Sequence, residues 1–577
     1  MLPEPDSIAP DESPGPGDLT LGLASDPNGL DASQAIAYLN PDLRAGVGAN
    51  GKDSFTIDEA ANRLVGGGPG WSRALGIGFT VTYAYRADEP STMPDDATGF
   101  QRFNAAQITQ AELALKAWSD VANITFVRVG VGNTGEAAYS NQATILLGDY
   151  TSGVSGSSAF SFFPGSTAVS ARSGDVWVNS SLGYNYSPTL TNYGGQVLVH
   201  ELGHAVGLDH PSDYNASATQ TFTYAADASY FEDSRQYTVM SYFNESNTGA
   251  NFGSIYSAAP LVDDIAAAQL EYGPNMSART GDTVYGFNSN ADAPWFITSS
   301  PFTRLVFAVW DAGGNDTFDF SGYSNNQVID LRPGYFSNVG GLTGNVAVAQ
   351  GANIENALSG AGADVITGNA LDNSIVAGSG ADTVNGGAGN DTIDGGAGQS
   401  YLRGDDGADV ITGGSAFDDI NGNMGDDTLH GGGGDDWVVG GKDNDVQFGD
   451  AGNDVVWGNL GNDTLDGGDG ADQVRGGQGA DVINGGAGND FVSGDRGDDT
   501  ITGGSGADLF HGSQDAGIDR VTDFNFAEGD KVMLDPGTTY TVSQVGADTV
   551  LDMGGGNQMI LVGVQASTLT GGWIFLG

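Results

Sequence analysis

From Asp382 to Asp508 an aspartate returns every nine residues, at Asp382, Asp391, Asp409, Asp418, Asp427, Asp436, Asp445, Asp454, Asp463, Asp472, Asp481, Asp490, Asp499 and Asp508. Asp364 keeps the same register, and Asn373 and Ser400 fill two of its slots. Around each aspartate the chain approximates G-G-x-G-x-D-x-U-x, as in Gly386-Gly387-Ala388-Gly389-Asn390-Asp391-Thr392-Ile393. Few folds tolerate such a period. Glycines permit tight turns, Asp carboxylates and backbone carbonyls offer the oxygen ligands that calcium takes, and the apolar U position supplies a core. The repeat therefore predicts an all-β parallel β-helix, or β-roll, that binds calcium. Ile393, Leu429, Val455 and Leu465 are expected to point into its core. A disordered acidic tail would not hold apolar residues in register, although it describes the same segment without calcium, when unpaired carboxylates repel one another.

A second constraint lies upstream. Residues 200–210 read His-Glu-Leu-Gly-His-Ala-Val-Gly-Leu-Asp-His, the H-E-x-x-H-x-x-G-x-x-H pattern of metzincin metallopeptidases. On a helix, residues four apart share a face, so His200 and His204 can present two imidazoles to one metal. Glu201 then stands beside the metal's open position. Gly207 can adopt positive φ and let the chain turn back, so that His210 arrives as a third ligand. Three protein nitrogens and one open position make a catalytic zinc site, whereas structural sites close the fourth position. The pattern uses three of only five histidines in 577 residues. His430 and His511 stand alone in the repeat region and are expected to be solvated or in turns. About thirty residues downstream of the motif, Val239-Met240-Ser241-Tyr242 occupies the place of a Met-containing turn, where the Met240 thioether can form an apolar floor beneath the imidazoles.

Composition bounds the rest. A chain of this length should hold more than one domain, and Gly and Asp dominate together only in its second half. The formal charge of −54 repels phosphates and excludes a nucleic-acid binder. Cysteine is absent, so an extracellular protein must find another staple, and the acidic half suggests calcium. No apolar run approaches membrane-spanning length. The start, Met1-Leu2-Pro3-Glu4-Pro5-Asp6, lacks the basic and apolar regions of a cleaved signal peptide. Residues 1–48 are rich in Pro, Gly, Asp and Ser and read as a weakly ordered leader, either a disordered tail or a propeptide.

Between leader and motif the pattern is mixed. Residues 53–61 read as a capped helix start, and residues 77–85 alternate as a strand does. From Gln107 to Ala122 apolar residues recur at helical spacing, and residues 123–129 and 143–147 read as strands. The order strand, long helix, strand, strand, metal helix predicts an α+β domain over 49–272, with a twisted sheet packed on helices. Phe160, Phe162, Phe163, Trp177 and Tyr184 are expected in its core or cleft wall. The repeat domain is assigned to 273–515, and residues 516–577 to a β-rich cap on the solenoid's open end.

The combination resembles the serralysin family, secreted zinc metalloproteases with calcium-binding repeats of the RTX type, from about Asn50 to the cap. The resemblance rests on the zinc motif followed by Pro211, on Asp213-Tyr214-Asn215, and on Arg235 to Tyr242. It extends over Arg279 to Phe287 and Trp310 to Phe318. It implies a zymogen whose zinc ligands are His200, His204 and His210 and whose catalytic base is Glu201. Tyr242 would bind zinc at rest and move to stabilise the oxyanion. Arg279, Gly281, Thr283, Asp311, Gly313, Asp316 and Glu355 would hold calcium at the junction between domains. The expected partners are protein and peptide substrates, a type I secretion apparatus and a proteinaceous inhibitor, with the chain a monomer that is secreted or held at the cell surface. Three features depart from the family: Ser212 replaces a familiar glycine, the repeat array is longer, and the chain ends Trp573-Ile574-Phe575-Leu576-Gly577 rather than on an acidic residue and a short apolar run. The expected function is zinc-dependent peptide hydrolysis. The alternatives are a calcium-dependent adhesive surface protein with a degenerate protease domain, and a zinc hydrolase of non-peptide amides.

Overall fold

Two nine-residue repeats make one turn of the second half. Each repeat supplies a short strand, and successive strands alternate between two parallel sheets of 15 and 12 strands. Every strand therefore pairs with the strand 18 residues on, as Thr464 with Val482, Leu465 with Ile483 and Asp466 with Asn484. The computed structural model describes residues 38–577 apart from 49, 68–69, 73, 95–96, 154–157, 166–172 and 215–220. Residues 1–37 of the expected leader, and Asn215, lie outside the described residues.

The core of this solenoid is formed by the inward side chains of both sheets, aliphatic in most turns, with Gln447 and Phe510 as buried exceptions. Ile393, Leu429 and Leu465 are buried in it, while Val455 is not: the inward residue of that strand is Val456. The two-residue alternation of a strand explains the correction, because the inward position lies two residues after the aspartate, here Asp454. His430 and His511 sit in the strands Thr428–Gly433 and Leu509–Gly512, not in turns. His430 stacks on Phe448 with ring centroids 4.5 Å apart, and His511 stacks on Phe491.

Beyond Asp508 the periodicity ends but the sheets continue. Ile518–Val521 and Asn557–Leu561 extend one sheet, and Lys531–Leu534 and Ile574–Leu576 the other. Two antiparallel pairings, of Thr541–Val545 with Asp548–Gly554 and of the latter with Asn557–Leu561, fold over the end. There Phe524 packs between Phe510 and Trp573, at centroid distances of 5.8 and 6.3 Å.

The first half is α+β. Its elements are α1 (Ile57–Leu64), β1 (Phe79–Tyr85), α2 (Ala105–Val121), β2 (Ile124–Arg128), β3 (Ile145–Tyr150), β4 (Ala159–Ser161), β5 (Val176–Asn179), α3 (Gly183–Tyr186), α4 (Tyr193–Ala205), α5 (Tyr224–Asp227) and α6 (Val262–Tyr272). The sheet order is β2-β1-β3-β5-β4, parallel except for the antiparallel edge strand β4. Sequence periodicity does not reveal β4 and β5, which are too short to alternate visibly. Helix α1 starts at a capping box, with Glu59 N–H donating to the Thr56 hydroxyl and Thr56 N–H to the Glu59 carboxylate. Helix α2 packs across α4, where Trp118 Nε1 donates to the Val199 carbonyl at 3.0 Å. Of the aromatics expected in core or cleft wall, Trp177 is buried, Phe160 packs against it, and Phe163 meets the ring of His204 at 5.5 Å. Among the described residues no helix is long and apolar enough to cross a membrane.

Candidate metal centre

Helix α4 is locally determined. The Asn192 side chain caps it by accepting from Gly195 N–H at 3.1 Å, and Val197, Leu198 and Val199 bury its inner face. It ends at Ala205. Gly207 then takes φ +112°, a conformation costly for any side chain, and a Cβ there would stand 3.2 Å from the Gly70 backbone. The chain reverses at this point, and His210 comes back over His200 and His204.

The three imidazoles converge. Nε2 of His210 lies 3.1 Å from Nε2 of His204 and 3.3 Å from Nε2 of His200. Nδ1 of His200 faces the Val239 carbonyl at 2.8 Å, and Nδ1 of His204 faces the Leu208 carbonyl at 2.7 Å. A carbonyl only accepts, so both Nδ1 atoms carry hydrogens and both Nε2 atoms present lone pairs to the same point. Burial pushes His200 down to about 3 and His204 down to about 4, and burial with the neighbouring imidazoles lowers His210, so all three stay neutral at physiological pH. Neutral imidazoles sharing one focus suit a borderline-soft divalent cation such as zinc.

Glu201 is buried beside this focus, and burial pushes its carboxyl up to about 8. Its Oε2 accepts from the Ser161 hydroxyl at 2.9 Å, on the edge strand β4. Below the helix, Met240 is fully buried, and a Cβ on Gly203 would stand 2.5 Å from its sulfur. The thioether thus packs directly on the α4 backbone. The Tyr242 ring lies over the cluster, with centroids 5.8 Å from His200 and 4.6 Å from His210.

Sequence reasoning missed the carboxylates that hold this arrangement. Asp264 on α6 accepts from the Thr238 hydroxyl at 2.5 Å and from Val239 N–H at 2.7 Å, which fixes the turn carrying Met240. Asp233 accepts from the hydroxyls of Tyr214 and Ser241, each at 2.7 Å, and of Ser212 at 2.5 Å. Ser212, the departure from the familiar glycine, is thereby a member of the network under His210. Arg44 donates to both oxygens of Asp263 at 2.9 and 3.0 Å and anchors the first described segment. The capping-box and Met-turn signals lie near these residues, but no local spacing announces such partners.

The repeat aspartates form a second set. Each places one carboxylate oxygen on the backbone N–H of the residue a full turn earlier: Asp409 on Asp391 at 2.7 Å, Asp418 on Ser400 at 2.7 Å, Asp472 on Asp454 at 2.8 Å, Asp508 on Asp490 at 3.1 Å. The other oxygen, Oδ2, is buried without a partner at every repeat aspartate from Asp382 to Asp508, including Asp418, Asp427, Asp436, Asp445, Asp463, Asp481 and Asp499. A Cβ on Gly386 would stand 2.3 Å from Oδ2 of Asp391 and 2.9 Å from the Gly404 carbonyl. The orphaned oxygen therefore faces a backbone carbonyl of the next turn across a cradle that only glycine leaves open. Burial raises these carboxyls: Asp382 up to about 6, Asp391, Asp427, Asp454, Asp481 and Asp490 up to about 7, Asp445 up to about 8. Asp364 differs, since its Oδ2 is taken by the Ser359 hydroxyl.

The residues expected at the junction also meet. Asp316 accepts from Thr283 N–H at 2.8 Å, its own N–H donates to Glu355 at 2.8 Å, and its Oδ2 is buried without a partner. Burial, with Asp311 and Glu355 nearby, pushes Asp316 up to about 7. Gly313 N–H donates to Asp311 at 2.9 Å, and a Cβ on Gly314 would meet both the Asp316 carboxylate and the Gly281 carbonyl at 2.8 Å. The Arg279 side chain donates to the Trp310 carbonyl and to Asp120 and Asp292.

Comparison with known proteins agrees with both halves. The family model described as Matrixin matches residues 93–236, and that described as Peptidase M10 serralysin C terminal matches residues 274–537. The chain is 46% identical over 325 residues to Serralysin C of Dickeya chrysanthemi, covering 56% of this chain and 66% of that one. It is 46% identical over 338 residues to Metalloprotease AprA of Pseudomonas entomophila, covering 57% and 67%. It is 43% identical over 336 residues to Serralysin of Photorhabdus laumondii, covering 56% and 68%. The matched stretch thus spans about two thirds of the length of these relatives.

Proposed function

The chain belongs to the serralysin family of metalloendopeptidases, and from that premise we propose that it is a secreted zinc-dependent endopeptidase with Glu201 as general base and calcium as the staple of its repeat half. The observation that carries the reading is the convergence of three neutral imidazoles, Nε2 of His210 lying 3.1 and 3.3 Å from those of His204 and His200, with the buried carboxylate of Glu201 next to His200 in sequence. His200, His204 and His210 would hold the zinc, with Tyr242 as a fourth ligand at rest. Zinc so held supplies Lewis acidity: it lowers the pKa of a bound water toward neutrality and polarises the scissile carbonyl.

The remaining work falls to the chain. Glu201 takes the proton of the attacking water and delivers it to the leaving amine. A cation in the histidine cluster draws its carboxyl down from the raised, metal-free value, so that it starts as a base. Ser161 keeps one carboxylate oxygen fixed and leaves the other for the proton. The Tyr242 phenol donates to the oxyanion as charge develops. Met240 and Asp264 hold the floor and the turn in place.

Calcium is supported by the orphaned Oδ2 atoms, since a buried carboxylate oxygen with no donor and a facing carbonyl is a cation's environment. Asp382, Asp391, Asp409, Asp427, Asp436, Asp445, Asp454, Asp463, Asp472, Asp481, Asp490 and Asp499 would take these ions. Arg279, Gly281, Thr283, Asp311, Gly313, Asp316 and Glu355 would take those at the junction. The division into a protease domain at 49–272 and a repeat domain at 273–515, export by a type I apparatus and restraint by a proteinaceous inhibitor belong to the same proposal.

The test is casein cleavage by the purified protein in calcium, beside Glu201→Ala, with zinc measured in both. Cleavage by the wild type alone, with zinc in both, supports the reading. Substantial activity in the variant overturns the role of Glu201. A zinc-loaded wild type that cleaves no protein returns the chain to the adhesive reading.

A further inference from the structure

The solenoid's two outer faces are chemically unlike. In the strands Tyr401–Asp406, Trp437–Lys442, Val455–Leu460 and Gln473–Gln478, the first and third residues face outward while the second and fourth are buried, and in Phe491–Arg496 the first residue is outward while Ser493 is covered. Outward on this sheet stand Tyr401, Trp437, Trp457 and Phe491. The opposite sheet, over the same turns, has one aromatic side chain besides His430, namely Phe448. All four Lys and Arg residues between Asp382 and Asp508, which are Arg403, Lys442, Arg475 and Arg496, also lie in strands of the aromatic sheet.

These side chains form a track along the solenoid axis. The Trp437 and Trp457 rings stack at 6.5 Å and 24°. The next turn places Arg475 opposite Trp457, and its guanidinium lies 5.3 Å from the Phe491 ring, which stacks in turn on His511 at 5.8 Å. Trp437 remains 51% exposed and Tyr401 43%, an unusual outlay of aromatic surface on an otherwise polar array. The charges along the track are mostly cancelled: Arg403 meets Asp419 at 2.9 Å, Arg475 lies 3.8 Å from Asp495, and Arg496 meets Asp515 at 3.0 Å. A molecule of net charge −54 thus keeps one face close to neutral.

We infer that this face is a binding track for an uncharged linear polysaccharide. Parallel strands repeat at about 4.8 Å, the scale of a single sugar ring, so a linear chain laid along the axis crosses one rung after another. The half-exposed Trp437 offers the ring face outside its stack with Trp457 to the C–H face of a sugar ring, and the amides of Asn421 and Gln473, outward on neighbouring strands, are placed to bond hydroxyls. Charge selects the occupant. A polyanion, and equally a second copy of this chain, is repelled by the acidic remainder, while the neutralised strip imposes no penalty on a neutral chain. A globular partner would need continuous apolar surface, and here the aromatics are interrupted by amides and ion pairs. The track would hold the protein on a polysaccharide-coated surface, at a site separate from the histidine cluster.

The experiment is native affinity electrophoresis of the full chain in calcium, through gels containing hydroxyethyl cellulose, glycol chitin neutralised by acetylation, or polygalacturonate. We expect retardation by at least one of the two uncharged chains and none by polygalacturonate. Trp437→Ala combined with Trp457→Ala should weaken binding about tenfold or more, while Phe448→Ala on the opposite face retains it and casein cleavage is unchanged in both. If the double variant loses its calcium-dependent circular dichroism, the exposed single substitution Trp437→Ala decides. Absence of retardation in both uncharged gels, retardation by polygalacturonate alone, or equal retardation of the tryptophan variant overturns the inference.

Discussion

The Nδ1 atom of His200 lies 2.8 Å from the carbonyl oxygen of Val239, and Val239 N–H in turn donates to Asp264 at 2.7 Å. A helix residue that faces the metal focus is thus oriented by a turn 39 residues downstream, which a carboxylate on α6 holds in place. Asp264→Ala leaves Val239 N–H and the Thr238 hydroxyl without their acceptor and frees the turn. Loss of such outer partners weakens metal binding roughly 10- to 100-fold. Chelator competition for zinc should show that drop, and an unchanged affinity would disprove the coupling.

The Ser161 hydroxyl donates to the Glu201 carboxylate at 2.9 Å. A hydrogen bond to a charged group contributes about 1.5–3 kcal/mol, so Ser161→Ala should lower kcat roughly tenfold or more. Zinc content should not change, and Ser161→Thr should restore most of the rate. Steady-state kinetics on a peptide substrate checks this, and a wild-type kcat in the alanine variant would remove Ser161 from the mechanism.

The buried repeat carboxyls make the calcium-free solenoid sensitive to pH. An aspartate titrates near 3.9 in an unfolded chain, but near 7 in the folded array at Asp391, Asp427, Asp454, Asp481 and Asp490. The folded state therefore holds its protons more tightly, and stability is lost as pH rises from about 4 through about 7. Melting in a chelator should occur at lower temperature at about pH 8 than at about pH 5, and calcium should reverse the loss at the higher pH. Equal melting temperatures in chelator would contradict the raised values.

Gly486 occupies φ +111°, and a Cβ on it would stand 2.1 Å from the Gly468 carbonyl of the preceding turn. Gly486→Ala must therefore both strain the backbone, by about 1–3 kcal/mol, and push two turns apart. Calcium titration followed by circular dichroism should show the repeat folding at higher calcium than in the wild type. Casein cleavage at saturating calcium should be little changed, because the histidine cluster lies in the other half.

What could be read in advance was what local spacing encodes. His200, Glu201, His204 and His210 fall within one helix and its exit turn, and Gly207 marks that turn by itself. The nine-residue period survives because each turn repeats the same short-range problem. Val455 and Val456 show the limit of that reading, since two adjacent valines are distinguished only by counting from Asp454. Asp264, Asp233 and Ser161 were invisible for a different reason. Each acts across a long stretch of chain on a residue with which it shares no spacing, so only the packed structure pairs them. Strands β4 and β5 escaped because three or four residues cannot display a period.

The buried aspartates at the repeat position accept from the amide one turn earlier in the array. Asp454 N–H needs Asp472, Asp472 needs Asp490, and Asp490 needs Asp508, whose own N–H is received by Asp530 in the terminal strands at 3.1 Å. A second set runs the other way, with Asp426 accepting from Asn444 N–H and Asp435 from Asn453 N–H, each at 2.9 Å. Each turn is therefore tied to both of its neighbours, and the array closes on the non-repeating end built around Phe510, Phe524 and Trp573.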